Sequence, residues 1–553
     1  MNQAIAYAHN DVAVLAWRYD KKIADCRGFT IRRTDVGNQQ TISLPTWVGF
    51  RGESNKDWKP HTSDEWPIQK FWWRDLTATR GRSYVYEIIP MVGKKGALKR
   101  QDNQKLTTKR VDLVPDRGSF STYFNRGILS TQHLAHKVPA GPSGVPNYKV
   151  LIDRIDQPGD PLRNSLAGQI IDGLGSLLQR ARDRGGKCYC ALYELNDPEL
   201  LKLLLDAKDV IHVILSNTGT DDATNDAARQ TLHEAGVDVV DRMLKSGHIG
   251  HNKFVVYVDE DNQPQAVLTG STNWTYSGLC GQANNALIVK SAPLAAAYFN
   301  YWKRLRDDGA EQSADFRDSN GSKIDVDIGS SETTVWFSPN TKQKSKPAKN
   351  PAQPGDMKAV FEAIEDAKSA ILFLVFQPGS PSILDPIRKR QEANTNLFIR
   401  GAATDAKAVN DYNVDLYHRP GEIVTVVAAA AINDQFAFWR KELLKTSPQA
   451  HAIIHDKIVV IDPFSEKSVV ITGSHNLGYR ASYNNDENML IIRGNKELAA
   501  AYAVHVMDIY DHYRWRWALQ KDKKKAWDGL VDRDDWQNKY FNSDLKRELE
   551  FWF

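Results

Sequence analysis

The sequence predicts an α/β fold made of two repeated halves, preceded by an all-β sandwich. Three observations carry that prediction. A stretch running His251-Asn252-Lys253-Phe254-Val255-Val256-Tyr257-Val258-Asp259, then Gly270-Ser271-Thr272-Asn273 and Asn284, is echoed by His455-Asp456-Lys457-Ile458-Val459-Val460-Ile461-Asp462, Gly473-Ser474-His475-Asn476 and Glu487. From about residue 150 onward, amphipathic helical spacing alternates with short apolar runs, once in each half. Residues 1 to about 115 instead carry β-branched and aromatic residues in partial alternation, the pattern of half-buried strands.

In the N-terminal region the strands are expected over Val12–Tyr19, Cys26–Ile31 and Ser83–Ile88, with Trp17 in the core. The run Gly81–Pro90 resembles the late strands of a fibronectin type III sandwich. Trp47, Trp58, Trp66, Trp72 and Trp73 are dense here, and core packing accounts for them better than a carbohydrate or lipid surface does. Residues 116–150, rich in Gly, Pro, Ser and His, read as a linker.

The first half spans 151–320. A helix is expected over Asn164–Arg182, where Leu166, Ile170, Leu174, Leu177 and Leu178 keep helical spacing. A strand Cys188–Tyr193 ends at Glu194, and Asp197-Pro198 supplies a cap and a first turn for the next helix. A strand Val210–Leu215 and a helix after Thr220 lead to His251. The second half, 330–520, repeats the order: helix Met357–Ala367, strand Ala370–Phe376 ending at Gln377, helix near Leu384–Glu392, strands Leu397–Arg400 and Glu422–Ala428, helix Asp434–Leu444, then His455. Leu294–Tyr298 is answered by Leu498–Tyr502, each opening a helix. Between the halves, Lys342–Lys349 reads as a solvated basic connector or as a rim that attracts a phosphate-rich substrate. The tail from 521 ends Phe551-Trp552-Phe553, a triplet expected to dock into its own protein, with a membrane-surface contact as the alternative.

Strand geometry turns the spacing into chemistry. Residues i and i+2 share a face of a strand, so His251 projects with Lys253 and His455 with Lys457. Ser271 with Asn273, and Ser474 with Asn476, repeat the relation next door. In both halves a polar residue stands 11 positions after this Asn, Asn284 or Glu487. Two halves face to face would set two imidazoles in a cage of donors suited to a tetrahedral phosphodiester. One His attacks phosphorus, the other protonates the leaving oxygen, and Lys and Asn hold the remaining oxygens. Ser271, Ser474, Glu194 and Gln377 are expected on the substrate side. Two His and two Lys do what a divalent ion does elsewhere, so neither metal nor cofactor is called for.

These residues resemble the phospholipase D superfamily, whose signature H-x-K-x4-D followed by G-S-x-N occurs twice in one chain. The second copy matches in full at His455, Lys457, Asp462, Gly473, Ser474 and Asn476. In the first, Val258 stands where Asp falls, and Asp259 follows one residue late. The resemblance covers about 150–310 and 330–520. It implies two α/β/α units forming an internal pseudo-dimer, with the site at their interface and no homodimer needed to complete it. Asp462 enters the candidate catalytic set through it, although its role in the family is mostly structural. Family members commonly put a carboxylate, bonded to the catalytic His, where this chain has Asn284 and Glu487.

That asymmetry leads to an expected division of labour. Glu487 beside His455 would favour the imidazolium, and Asn284 beside His251 would leave a neutral imidazole. On that pairing His251 attacks phosphorus, and His455 with Glu487 protonates the leaving group. The competing reading is that Asn284 marks a weakened site and the chain is a phosphate-binding module.

At 553 residues the chain is too long for one core, and 25% charged residues with a net charge of +4 neither demand nor exclude an anionic partner. Cys26, Cys188, Cys190 and Cys280 lack metal-ligand spacing and read as buried thiols. No signal peptide or membrane span is visible, so a soluble cytoplasmic protein is expected, with non-classical export left open. The expected function is hydrolysis of phospholipid head groups at a membrane surface, with some transfer to alcohols. Cleavage of DNA or RNA is the alternative. Phosphatidyl transfer as the main reaction is disfavoured, because relatives that perform it usually carry membrane segments.

Overall fold

The structure is a computed structural model that describes residues 2–125, 148–219, 222–404, 426–428, 454–521, 529–542 and 544–553. The expected helix Asp434–Leu444 and the Pro-rich stretch 126–147 lie outside them. Two eight-stranded sheets repeat one topology. The first runs Asp116–Arg117, Phe120–Phe124, Asn285–Val289, Pro264–Gly270, Lys253–Val258, Lys187–Leu192, Ile211–Thr218, Asp238–Leu244. The second runs Ile324–Ile328, Ser331–Ser338, Glu487–Arg493, Val469–Gly473, Ile458–Ile461, Ala370–Val375, Phe398–Ala403, Val426–Ala428. In each, the motif strand pairs antiparallel with a central strand whose other neighbour is parallel.

These strands are continuously apolar because both faces are covered. Phe254, Val256 and Val258 join Ile458 and Val460 in one core between the sheets, together with the helices Ala292–Asp307 and Lys496–Lys521. The alternate residues Val255 and Tyr257 face a second core, and Val459 and Ile461 a third. The two sheets thus share a middle layer, and the halves form one pseudo-symmetric body.

Several boundaries differ from the sequence reading. Residues 116–124 are no linker: Phe120–Phe124 pairs with Asn285–Val289 and completes the first sheet. The expected helix Asn164–Arg182 is two helices, Pro161–Ala167 and Ile170–Arg184. Gly168 separates them with φ +63°, and a Cβ there would lie 2.6 Å from the carbonyl oxygen of Phe124. Asp197 caps Pro198–Asp206 as expected, accepting from the amides of Glu199 and Leu200. The extra residue of the first motif is taken up by a register shift at Tyr257/Val258.

In the N-terminal region, Gln3–Ala8, Ala13–Arg18 and Trp72–Asp75 form one sheet, and Cys26–Asp35 with Ser83–Lys94 forms the centre of another. Trp17 is fully buried, edge-on to Phe29 at 5.2 Å. Trp66 and Trp72 are buried as well, whereas Trp58 is exposed. The tail returns across this region. The indole of Trp536 donates to the carbonyl of Cys26, Phe551 stacks on Phe398 at 4.3 Å, and Arg18 lies over Phe553. The aromatic triplet docks into its own protein, and all four cysteines are buried and free. Among the described residues no helix is long and apolar enough to cross a membrane.

Candidate active site

The site lies at the carboxyl ends of the parallel strands Lys187–Leu192 and Ala370–Val375, where each chain turns away and leaves a crevice. His251 and His455 meet there, with ring centroids 5.8 Å apart and only 3% and 4% exposed. One chain therefore brings both imidazoles together.

Their partners are exchanged between the halves. His251 Nδ1 lies 3.1 Å from Glu487 Oε2 and 3.2 Å from the carbonyl of Ser474. His455 Nδ1 lies 3.1 Å from Asn284 Oδ1 and 2.9 Å from the carbonyl of Ser271. The expected pairing of Glu487 with His455 and Asn284 with His251 is overturned, because each polar residue follows its own strand across the pseudo-dyad and reaches the opposite histidine. A carbonyl only accepts, so Nδ1 of each ring carries the proton and each Nε2 keeps its lone pair when the ring is neutral.

The amide of Asn284 is fixed in orientation. Its Nδ2 donates to the carbonyl of Gly278 and to Gln282 Oε1, which leaves Oδ1 to accept from His455 and from the Ser271 hydroxyl. Asn125, missed as a site residue, holds this turn by donating to the carbonyls of Gly278, Leu279 and Gln282 and accepting from the backbone N–H of Asn284. The first half is built around a neutral acceptor.

Lys253 and Lys457 are buried, and each donates back to the carbonyl of its own histidine, at 2.6 and 2.5 Å. An aromatic ring walls each half, also missed in the sequence. Tyr193 lies 5.2 Å from His251 with Lys253 over its face, and Phe376 lies 5.4 Å from His455 with Lys457 over its face. The signal was present, since both residues occupy the last position before Glu194 and Gln377. Glu194 accepts from Asn273 Nδ2. Asn273 Oδ1 and Asn476 Oδ1 are buried without a hydrogen-bond partner among the described residues. Gln377 is exposed beside Phe376.

Three expected site residues serve the frame instead. Ser271 and Ser474 are fully buried: the Ser271 hydroxyl bonds Asn284 and Asn285, and that of Ser474 accepts from the backbone amide of Asn488. What they offer the histidines is a backbone carbonyl. The preceding glycines make this turn possible. Gly270 and Gly473 have φ of +153° and +140°, and a Cβ would fall 2.3 and 2.4 Å from the carbonyl oxygens of Asn285 and Asn488. Asp462 stands at the far end of its strand from Lys457. It accepts there from the amides of Lys368, Ser369 and Ala370, so it joins two strands and touches no reacting group.

A polar seam behind the site locks the halves. Asn488 donates to Asn252 and accepts from Thr269 and Tyr298, while Asn285 donates to Thr472 and Tyr502. The repeated Leu-Ala-Ala-Ala-Tyr segments thus place one tyrosine hydroxyl from each half on the asparagine of the other.

Burial dominates the titration of the cluster. Desolvation, reinforced by Lys253 and Lys457, holds both imidazoles well below their ordinary value. Burial lowers Lys253 to about 7, against the pull of Glu487 and Glu194, and also lowers Lys457. It raises Glu487 to about 7.

A family model described as cardiolipin synthase, PLD-like domain, matches residues 174–306 and 361–509, just over half of the chain. The chain belongs to this PLD-like family. Both matched segments carry one His/Lys pair each, so the phospholipase D-like unit occurs twice. The N-terminal β-region lies outside the match, and nothing assigns it to the fibronectin type III family. No curated protein matches the chain. The PLD-like chain is similar to a phosphatidylserine synthase structure from Haemophilus influenzae Rd KW20, at 11% identity and TM-score 0.40, covering 63% of this chain and 85% of that one. It is similar to yeast tyrosyl-DNA phosphodiesterase at 10% identity and TM-score 0.34, covering 57% and 85%. It is also similar to polyphosphate kinase from Porphyromonas gingivalis at 12% identity and TM-score 0.37, covering 58% of this chain. The PLD-like chain spans 46% of that kinase.

Proposed function

We propose that this protein cleaves phosphodiesters through a covalent phosphohistidine on His251. The observation that carries the reading is the exchanged pairing of the two histidines. When His251 Nε2 attacks phosphorus, Nδ1 keeps its proton and the ring becomes cationic, and Glu487 lies against that charge. Among the described residues His455 has a carbonyl and an amide oxygen at Nδ1 and no carboxylate, so its imidazolium, formed when the anionic substrate restores its proton, is the stronger acid. The P–O bond breaks as His455 Nε2–H protonates the leaving oxygen. Water then attacks phosphorus, His455 takes its proton, the P–N bond breaks and His251 returns to neutral. Lys253 and Lys457 offer their ammonium groups to the non-bridging oxygens together with the side-chain Nδ2 of Asn476, while Asn273 Nδ2 is held by Glu194.

An alcohol can replace water in the second step, so hydrolysis and transfer share one intermediate. For the substrate, phospholipid head-group release and nucleic-acid cleavage are the two readings. The large apolar side chains exposed among the described residues are Ile42, Trp58, Leu76, Ile324 and Trp515, none on a segment that carries a site residue. That supports a polar phosphodiester over a bilayer-embedded one.

The test mixes bis(p-nitrophenyl) phosphate with wild type, His251→Ala and His455→Ala, reading intact mass and nitrophenolate release. His455→Ala should give a burst and a trapped adduct, since its leaving group needs no acid while the second step has lost its base. An adduct in His251→Ala and none in His455→Ala would reverse the assignment.

A further inference from the structure

The connector between the halves is held too firmly to be a passive tether. It runs from the end of Ser331–Ser338 to the start of Gly355–Glu365, a length at which unstructured connections usually serve a function. Arg317, 1% exposed, donates to the backbone carbonyls of Thr341, Gln343 and Lys344 as well as to those of Tyr483 and Gln312. The Lys346 amide donates to Asn484 Oδ1, and the Ser345 hydroxyl lies 3.3 Å from His248 Nε2. Asn484 in turn donates to the carbonyl of Gly247. A buried guanidinium spent on three loop carbonyls fixes the backbone and turns the side chains outward.

Those side chains are basic. Lys342, Lys344 and Lys349 are exposed, Lys346 is half-buried, and no acidic residue interrupts them. Among the described residues no carboxylate pairs with Lys342, Lys344 or Lys349. The anchor points sit beside the chemistry. His248 precedes His251 by three residues and Asn484 precedes Glu487 by three, so the Cα of each anchor residue lies within about 11 Å of the Cα of His251 or Glu487.

We propose that residues 342–349 are a docking rim for the flanking phosphates of a single-stranded nucleic acid whose scissile phosphodiester lies between His251 and His455. This rests on the phosphodiesterase reading and names its substrate class. A row of separate cations beside one catalytic phosphate site suits a polymer that presents phosphates in series. His251 and His455 are only 3% and 4% exposed, and a flexible single strand can bring a phosphate into so narrow a site where a stiff duplex cannot.

The experiment titrates full-length His251→Ala protein with a short fluorescein-labelled single-stranded oligodeoxynucleotide, and in parallel with phosphatidylserine/phosphatidylcholine vesicles, across a range of salt. It is repeated with Lys342→Gln/Lys344→Gln/Lys349→Gln added, and with Lys21→Gln/Lys22→Gln/Lys56→Gln as a control of equal charge change. The rim triple should weaken oligonucleotide binding about tenfold or more and reduce the slope of log K against log salt by about 2, and the control triple should leave that slope in place. Equal effects of the two triples would overturn the proposal, as would an oligonucleotide that does not bind. Vesicles that bind through the same lysines while the oligonucleotide does not would assign the rim to a membrane surface. Failure of the catalytic reading is seen separately, in the nitrophenyl ester adduct.

Discussion

His251 and Glu487 belong to different halves of the chain, yet Nδ1 of the first lies 3.1 Å from Oε2 of the second, and both are buried. In the proposed mechanism that carboxylate stabilises the cation formed when Nε2 bonds to phosphorus. Glu487→Gln keeps the shape and removes the charge. The expected loss is about 10²–10⁴-fold in kcat, read as slower adduct formation under single turnover with the fold retained by circular dichroism.

The same pair sets the pH dependence. Glu487, raised to about 7 by burial, must be ionised to serve, so activity falls as pH drops through that value. Lys253, lowered to about 7, must be protonated to hold the anion, so activity also falls as pH rises through it. kcat/KM should therefore trace a narrow bell near pH 7, and Glu487→Gln should remove its acid limb. A flat kcat/KM profile from pH 5 to 9 with a nonionising substrate would contradict this.

Asn284→Asp tests whether the first half is built for a neutral acceptor. The amide nitrogen now donates to Gly278 and Gln282, and a carboxylate would face those oxygens with nothing to offer. A stability loss of about 1–3 kcal/mol in denaturant unfolding is expected, together with a weaker general acid at His455. Raised activity without loss of stability would instead support the weakened-site reading.

Ser474→Ala separates a frame residue from a substrate ligand. Its hydroxyl is buried against the Asn488 amide, so removing it should cost about 1–3 kcal/mol of stability and leave KM unchanged. A raised KM with intact stability would return Ser474 to the substrate side.

Gly473→Ala should be harsher. The residue has φ +140°, and the new Cβ would meet the Asn488 carbonyl at 2.4 Å. The strain alone is on the order of 1–3 kcal/mol, and the clash displaces the carbonyl that orients His251. Thermal unfolding and adduct formation should both suffer.

Local spacing was enough to read the two-fold repeat, the His/Lys pairs, the asparagines and the family, because each depends on residues a few positions apart on one strand. Tyr298 and Tyr502 were legible as a repeat but not as a seam, since their partners lie in the opposite half. Helix continuity across Gly168 was misread because apolar periodicity survives a break that only a close approach to Phe124 requires.

The sequence by itself determined which histidines and lysines meet at the site and that there are two sets of them. Strand periodicity and the length of the apolar runs are local properties, and they carry that information directly. Only the tertiary structure decided which partner each histidine receives, that Ser271 and Ser474 contribute carbonyls, and that Asp462 serves the frame. Those outcomes depend on how one sheet faces the other across the pseudo-dyad. That geometry comes from the shared core between the sheets, which no spacing within one half encodes.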